Sequence, residues 1–180
     1  MPLINAQGCP LPDPWLLISD QEGIPESDAI VVPIRRWCAE RERLIARQAR
    51  TGLVLKSGED VTEILPDLAH VHLIALEFPK FTDGRHYSTA RLLRERHGYK
   101  GELRAVGAVL LDQLEFLQRC GFDTFVLVKE GAGEAVPGAF RQFSVVYQPA
   151  ADERIRAGEL RKADRTDHEQ SRICVGSWAY

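Results

Sequence analysis

Residues 71–78, VHLIALEF, form an almost continuous apolar run, and this run places the tightest limit on what the chain can fold into. A strand with one face in water alternates apolar and polar residues, whereas a strand covered on both faces is apolar throughout. The run therefore predicts a buried central strand of a parallel sheet. Pro79 follows directly, and the polar loop residues after it lie where such a strand ends.

Strand and helix patterns alternate along the chain from Thr51 to Val128. Strands are predicted at TGLVLKS, VHLIALEF, GELRAVGAV and DTFVLV, with helices between them at GEDVTEILPDLAH, STARLLRERHGY and LLDQLEFLQRC. This alternation is typical of an α/β protein with a mostly parallel sheet and flanking helices. A doubly wound layer is our first expectation. A partial β/α barrel is the alternative, because eight strand–helix units do not fit in a chain of this length.

Further elements are predicted on either side of this core. WLLISD and AIVVPI precede it as short strands, RRWCAERERLIARQAR forms an amphipathic helix, and FSVVYQ reads as a last strand. Ser88 is predicted to cap the helix STARLLRERHGY. Gly121 is predicted to follow the helix LLDQLEFLQRC in a left-handed conformation, with Phe122 making the hydrophobic contact that accompanies such an ending.

The chain is predicted to hold one folded domain. Residues 1–14 read as a loose N-terminal lead-in, and residues 15–150 contain all of the predicted strands and helices. Residues 151–180 are highly charged with few apolar side chains, so they are expected to form a mobile C-terminal tail.

Charge and cysteine usage limit the possible partners and compartment. The formal net charge is −3, which argues against general binding of nucleic acid. No apolar stretch approaches the length of a membrane span, and the N-terminus has no signal-peptide pattern, so a cytoplasmic protein with no membrane partner is expected. The four cysteines are scattered without C-x-x-C spacing, which is typical of reduced thiols, and no metal site is predicted.

Positive charge gathers in one segment of this acidic chain. Seven basic and three acidic residues lie between Phe78 and Arg104. The segment begins at the carboxyl end of a predicted strand and leads into a helix, and residues 79–94, here called the junction, join the two. Ligands of parallel sheets bind at such strand ends, and a helix start favours anions.

The junction therefore predicts a site for a small oxyanion such as sulfate or phosphate. Lys80 can act as a point charge, and Arg85 can bind an oxyanion through two parallel hydrogen bonds. Asp83 and Gly84 supply the turn, and Ser88 and Arg91 lie one turn apart on the following helix. The alternative is that these charges only solvate an exposed helix face and form weak surface pairs.

The neighbouring strand adds residues to this candidate site. Arg104 lies in the predicted strand GELRAVGAV, and a salt bridge with Glu102 or Asp112 is its structural alternative. Asp112 and Gln113 open the next helix, where a carboxylate also complements the helix dipole. No catalytic residue is predicted and no cofactor is identified, because the chain has no G-x-G-x-x-G, P-loop, G-x-S-x-G or H-E-x-x-H motif.

The segment ALEFPKFTDGRHYSTARLLRERHGYKGELRAVGAVLLDQLEFLQRCGFDTF, residues 75–125, resembles the bacterial family called domain of unknown function 934. The strings F-x-D-G-R-x-Y-S-x-A-R-L-L-R and G-E-L-R-A-V-G carry the resemblance. The positions that match the signature of the family are Phe81, Asp83, Gly84, Arg85, Tyr87, Ser88, Arg91, Leu92, Arg94, Gly101, Glu102, Arg104, Gly107, Asp112, Gln113, Arg119, Gly121 and Phe122. His86 and Ala108 depart from it, standing where glycine and aspartate are expected.

The resemblance implies a pathway rather than a reaction. Members of the family are often named as probable oxidoreductases, and their genes commonly lie beside those of assimilatory sulfite reductase and the sulfate-activating enzymes. We therefore expect an accessory protein of sulfate and sulfite reduction that binds a small anionic ligand, or a partner such as sulfite reductase or another sulfur-assimilation enzyme, at the junction. The alternative is an oxidoreductase that uses a flavin or nicotinamide without a fingerprint motif.

Overall fold

The computed structural model describes residues 2–128, 136–140, 143–152 and 154–162. Its core is one seven-stranded sheet. The strands, in chain order, are β1 (Leu3–Asn5), β2 (Leu16–Leu17), β3 (Ile30–Pro33), β4 (Thr51–Leu55), β5 (Leu73–Phe78), β6 (Glu102–Gly107) and β7 (Thr124–Val126). The predicted strands at VHLIALEF and GELRAVGAV are thus present as β5 and β6.

The strand order is β1-β7-β6-β5-β4-β3-β2. From β2 to β7 each strand lies beside the next one in the chain and parallel to it, while β1 pairs antiparallel with β7. The predicted α/β class with a mostly parallel sheet is therefore confirmed. A doubly wound layer would reverse its strand order at one point, and this order does not reverse from β2 to β7, so the arrangement is that of the alternative, a partial β/α barrel.

The sheet curls into a half-barrel, and the short link between its two edges requires this. Pro10 pairs with Ile4 on the outer side of β1, at the opposite edge from β2. In a flat sheet about 34 Å would separate that segment from β2, at roughly 4.8 Å per strand. Residues 11–16 can span at most about 22 Å. The edges have therefore approached each other, and residues 11–15, here called the strap, cross the concave side.

The helices differ in detail from the prediction. They are α1 (Ile34–Ala39), α2 (Arg41–Ile45), a 3-10 helix (Val61–His70), α3 (Arg85–Arg91) with a wider π turn (Leu92–Arg96), a 3-10 turn (Leu111–Gln113), α4 (Leu114–Arg119) and α5 (Val136–Ala139). The single helix predicted at RRWCAERERLIARQAR is interrupted at Glu40, so α1 and α2 are separate. Pro66 lies inside the 3-10 helix, where its ring is incompatible with regular α geometry.

Two helix ends test the predicted caps. Ser88 was expected to cap α3, but α3 begins at Arg85 and Ser88 lies inside it. The expected ending of α4 is confirmed: Gly121 has φ +101°, and the backbone N–H groups of Gly121 and Phe122 donate to the carbonyls of Gln118 and Leu117. This is the hydrogen-bond pattern of a Schellman motif, and Phe122 is buried behind it.

One face of the sheet carries the hydrophobic core. Buried side chains alternate along the strands on this face, which we call the outer face, and pack with the helix residues Trp37, Leu44, Ile64, Leu93 and Leu114. The strand residues of the outer face in this core are Ile4, Ile30, Val32, Leu53, Leu55, Ile74, Leu76, Phe78, Leu103, Ala105 and Phe125.

The intervening strand residues point to the concave side and form the inner face. Their cross-strand register places Pro33, Val54, Ala75 and Arg104 in one row, and Glu77 beside Val106 in another. None of these residues belongs to the hydrophobic core. The two faces of the sheet are therefore covered in different ways, the outer one by helices and the inner one by the strap.

An ion-pair network holds the strap to the inner face. Arg104 is buried in β6 and donates to the carboxylate of Asp13 in the strap at 2.9 Å and to Glu102 at 3.0 Å. Thr124 on β7 donates to the same Glu102 oxygen at 2.6 Å. The guanidinium of Arg50, just before β4, lies 5.1 Å from the centre of the Trp15 ring. These contacts place the strap across the amino-terminal half of the strands.

The end of the chain departs from the prediction in one respect. FSVVYQ was expected to form a strand, but the described residues 143–148 contain only one isolated pairing, of Val146 with Arg156. Two ion pairs, Arg119 with Asp152 and Arg154 with the buried carboxylate of Glu115, connect Asp152 and Arg154 to α4. Residues 163–180 of the predicted tail lie outside the described residues.

Candidate binding site at the carboxyl ends of the strands

Loops from three successive strands meet at the carboxyl edge of the sheet. The hydroxyl of Ser57, after β4, donates to Asp83, after β5, at 2.5 Å. The side-chain amide of Gln113, after β6, donates to the carbonyl of Phe81 at 3.0 Å, and the backbone N–H of Ala108 donates to the carbonyl of Phe78 at 2.7 Å. The junction is thus held between the loops on either side of it.

Gly107 makes this close approach of strand and loop possible. Its φ is +92°, and a Cβ atom there would lie 2.4 Å from the carbonyl oxygen of Phe78. Only glycine adopts this conformation without strain and leaves room for the neighbouring backbone. Gly107 is therefore a point of contact between the end of β5 and the loop after β6.

The carboxylate of Asp83 occupies the position where an oxyanion was expected. It accepts hydrogen bonds from the Arg85 side chain at 2.7 and 3.0 Å, from the Arg85 backbone N–H at 3.3 Å and from Ser57. Hydrogen bonds from the Arg85 guanidinium, then from Ser57, hold the pKa of Asp83 far below its usual range. Arg85 and Ser57 thus bind a carboxylate of the chain itself, that of Asp83.

The other predicted cations are distributed over separate places. Arg91 pairs with Glu95 one turn along its own helix at 2.9 Å. Arg104 is committed to Glu102 and Asp13 on the inner face, so it shares no partner with Arg85. Lys80 is exposed and forms no ion pair within the described part of the chain.

The remaining predicted residues have simpler surroundings. Gly84 precedes the first turn of α3, and Ser88 is exposed within that helix. Asp112 is exposed in the 3-10 turn that leads into α4. Gln113 also accepts from the backbone N–H of Leu110 at 3.1 Å, so its side chain is bound on both sides.

Aromatic side chains lie beside the Asp83–Arg85 pair. The ring of Tyr87 packs 5.4 Å from that of Phe78 and 4.9 Å from that of Phe116, and burial raises the pKa of Tyr87 to about 12. Phe116 and Phe81 are 53% and 61% exposed. We call Phe81, Tyr87 and Phe116 the aromatic patch. Phe116 was not predicted as a site residue from the sequence. It lies off the face of α4 that carries the leucines, and this position indicates an exposed ring.

His86, one of the two departures from the family signature, lies beneath this surface. It is 3% exposed, and neither ring nitrogen has a hydrogen-bond partner. Its ring meets the edge of Phe78 at 5.8 Å. Burial lowers the pKa of His86, so the imidazole is neutral near pH 7. The Cys120 thiol is also buried, and burial raises its pKa to about 11.

A family model matches residues 52–157 and is described as a bacterial protein of unknown function, DUF934. The match covers more than half of the chain, so the protein belongs to this family. Neither a search of curated proteins nor one of solved structures finds a match to the chain.

Two further findings concern membranes and metals. Within residues 2–128, 136–140, 143–152 and 154–162, no helix combines the length and apolar character that a bilayer crossing needs. Over the same ranges, no three or more His, Cys, Asp or Glu side chains lie close enough together to hold a metal ion.

Proposed function

We propose that this chain is an accessory protein of assimilatory sulfate and sulfite reduction, and that it binds a partner protein at the junction, residues 79–94. One observation favours a protein, rather than a free oxyanion, as the ligand of the junction. The anion-binding groups of the junction already hold the Asp83 carboxylate, whereas Phe81 and Phe116 beside it are exposed.

The chemistry of this surface is that of a protein interface. Aromatic and arginine side chains contribute most of the binding energy in protein complexes, and exposed aromatic rings grouped with guanidinium groups are typical of such sites. At the junction Arg85 and Arg91 lie on the helix that carries Tyr87, and Lys80 precedes Phe81. The partner surface that fits is apolar at its centre and acidic at its rim.

The pathway is suggested by the family. Its genes commonly accompany those of assimilatory sulfite reductase and the sulfate-activating enzymes, and these enzymes are therefore the partners to test. The whole chain has an acidic net charge, whereas the junction is basic. We therefore expect a protein partner whose acidic residues are confined to the surface that meets the junction.

The direct test is binding of the full-length protein to immobilised sulfite reductase and sulfate-activating enzymes. We expect one of them to bind, with Phe81→Ala and Phe116→Ala each weakening the complex at least about 30-fold, as hot-spot residues do. Tyr147→Ala is the matched control, because Tyr147 is 81% exposed but belongs neither to the junction nor to the aromatic patch. No binding by any of these enzymes, or equal loss with the control variant, would refute the proposal.

A thermal-shift screen tests the two alternatives that the sequence left open. Sulfate, sulfite and adenylyl sulfate are expected to leave the unfolding temperature of the wild type unchanged, because Asp83 fills their position. Stabilisation of the wild type that is lost in Arg85→Ala would favour an oxyanion ligand instead. Flavin or nicotinamide absorbance that copurifies with the chain would favour the oxidoreductase.

A further inference from the structure

The inner face of the half-barrel carries a single carboxylate at its carboxyl-terminal end. Glu77 is the last but one residue of β5, and its neighbours on the same face are Ala75 in its own strand and Val106 on β6. Val54 on β4 lies level with Ala75. Glu77, Val54 and Val106 are all half-buried and stand outside the hydrophobic core.

Glu77 differs from the other acidic side chain of the inner face in having no partner. Glu102 accepts hydrogen bonds from Arg104 and Thr124. No hydrogen bond or ion pair reaches Glu77 in the described part of the chain, and Lys56, which directly follows β4, forms none with it. A carboxylate without an internal partner can pair with a cation that reaches it.

The strap leaves this end of the inner face accessible. Its contacts, from Asp13 to Arg104 and from Trp15 to Arg50, lie towards the amino ends of the strands. Small molecules bind to parallel sheets and barrels at the opposite, carboxyl ends, in the concavity that the loops surround. Glu77 lies at that end beside Val106, with Val54 and Arg104 on either side of Ala75 in the next row. The Arg104 guanidinium is paired with Asp13 and Glu102, which leaves Glu77 as the polar group that can orient a ligand.

We propose that the inner face holds a binding site for a small primary amine. The ammonium group pairs with the carboxylate of Glu77, and the apolar body of the ligand lies on Val54 and Val106. A carboxylate favours a cation over an anion or a neutral molecule of the same shape. This site is separate from the junction, because Glu77 and Phe78 are adjacent in β5 and therefore point to opposite faces of the sheet.

The experiment uses n-butylamine as the probe and follows backbone amide resonances of the full-length protein by NMR. We expect saturable shifts at residues 54, 77 and 106, and affinity at least about tenfold lower for n-butanol and n-butyrate, which lack the ammonium group. Glu77→Gln should lower the affinity for n-butylamine by about the same factor. Glu42→Gln, an exposed carboxylate on α2, is the matched control and should leave it unchanged.

Each contrary result overturns the proposal. Absence of saturable shifts with the wild type, equal binding of n-butanol, or unchanged binding by Glu77→Gln would each exclude an amine site at Glu77. The Glu77→Gln substitution keeps the size of the side chain and breaks no internal contact, so the variant is expected to fold. Its unfolding temperature, measured alongside, checks this directly. None of these outcomes depends on whether a partner protein binds the junction.

Discussion

His86 provides a quantitative test of how this fold is held together. The side chain is 3% exposed, and both imidazole nitrogens are buried without a hydrogen-bond partner. Leaving a buried polar group unpaired costs about 1–3 kcal/mol, because its hydrogen bonds to water are lost and not replaced. His86→Leu removes both nitrogens and keeps an apolar group against Phe78. We therefore expect the variant to be more stable than the wild type by about 1 kcal/mol at neutral pH.

The difference in stability between His86→Leu and the wild type should grow at lower pH. Burial lowers the pKa of His86 in the folded protein below its ordinary value of 6.5. Between the two pKa values the unfolded chain binds a proton that the folded chain does not, so the wild type loses stability as the pH falls below about 6.5. For a single histidine this loss reaches at most about 1.4 kcal/mol by pH 5.5. The His86→Leu variant has no histidine at this position, so it does not undergo this loss of stability.

Urea denaturation at about pH 7.5 and about pH 5.5 measures both effects. Wild type and His86→Leu are compared with His97→Leu, which replaces an exposed histidine and should change neither the stability nor its pH dependence much. A His86→Leu variant that is less stable at neutral pH would refute the claim that the nitrogens are unpaired. A difference from wild type that is the same at both pH values would refute the lowered pKa.

Three further predictions concern stability. Gly107→Ala should cost at least about 2 kcal/mol in urea denaturation, because the new methyl group meets the carbonyl of Phe78 at a positive φ. Asp67→Ala should cost about 2–3 kcal/mol, because the buried Trp37 N–H loses its acceptor. In the wild type the Arg41 pair lowers the pKa of Asp67, so its contribution is complete above about pH 4 and is lost as the pH falls through that lowered pKa. Arg104→Met should release the strap, and chymotrypsin should then cleave the folded protein at Trp15 faster than it cleaves the wild type.

Much of the fold could be predicted because its signals are local. The apolar run of β5 and the glycine that ends α4 are each read from a few neighbouring residues. Strand order is not local, and the periodicity that predicts a strand says nothing about which strand lies beside it. The choice between a doubly wound layer and a partial barrel therefore needed the structure. The cap of α3 was misplaced because Ser88 has the right side chain for a cap, while the helix starts one turn earlier at Arg85.

The sequence predicts a candidate site after β5, where basic residues are concentrated, but it does not predict how these residues pair. The salt bridge of Arg104 with Glu102 was expected as an alternative and is confirmed. The pairing of Arg85 with Asp83, and that of Arg104 with Asp13, 91 positions away, were not expected. The sequence could not show that Glu77 is unpaired, because a single acidic residue in an apolar strand gives no information about the residues that lie near it in the fold.

The position of β1 has a consequence for how the protein is made. The strands β2 to β7 lie side by side in chain order, so each can dock on the one before it as it leaves the ribosome. β1 precedes these six strands in the chain, but its pairing partner is β7, with Ile4 opposite Phe125. β1 can therefore take its place in the sheet only after the last of the six has been synthesised.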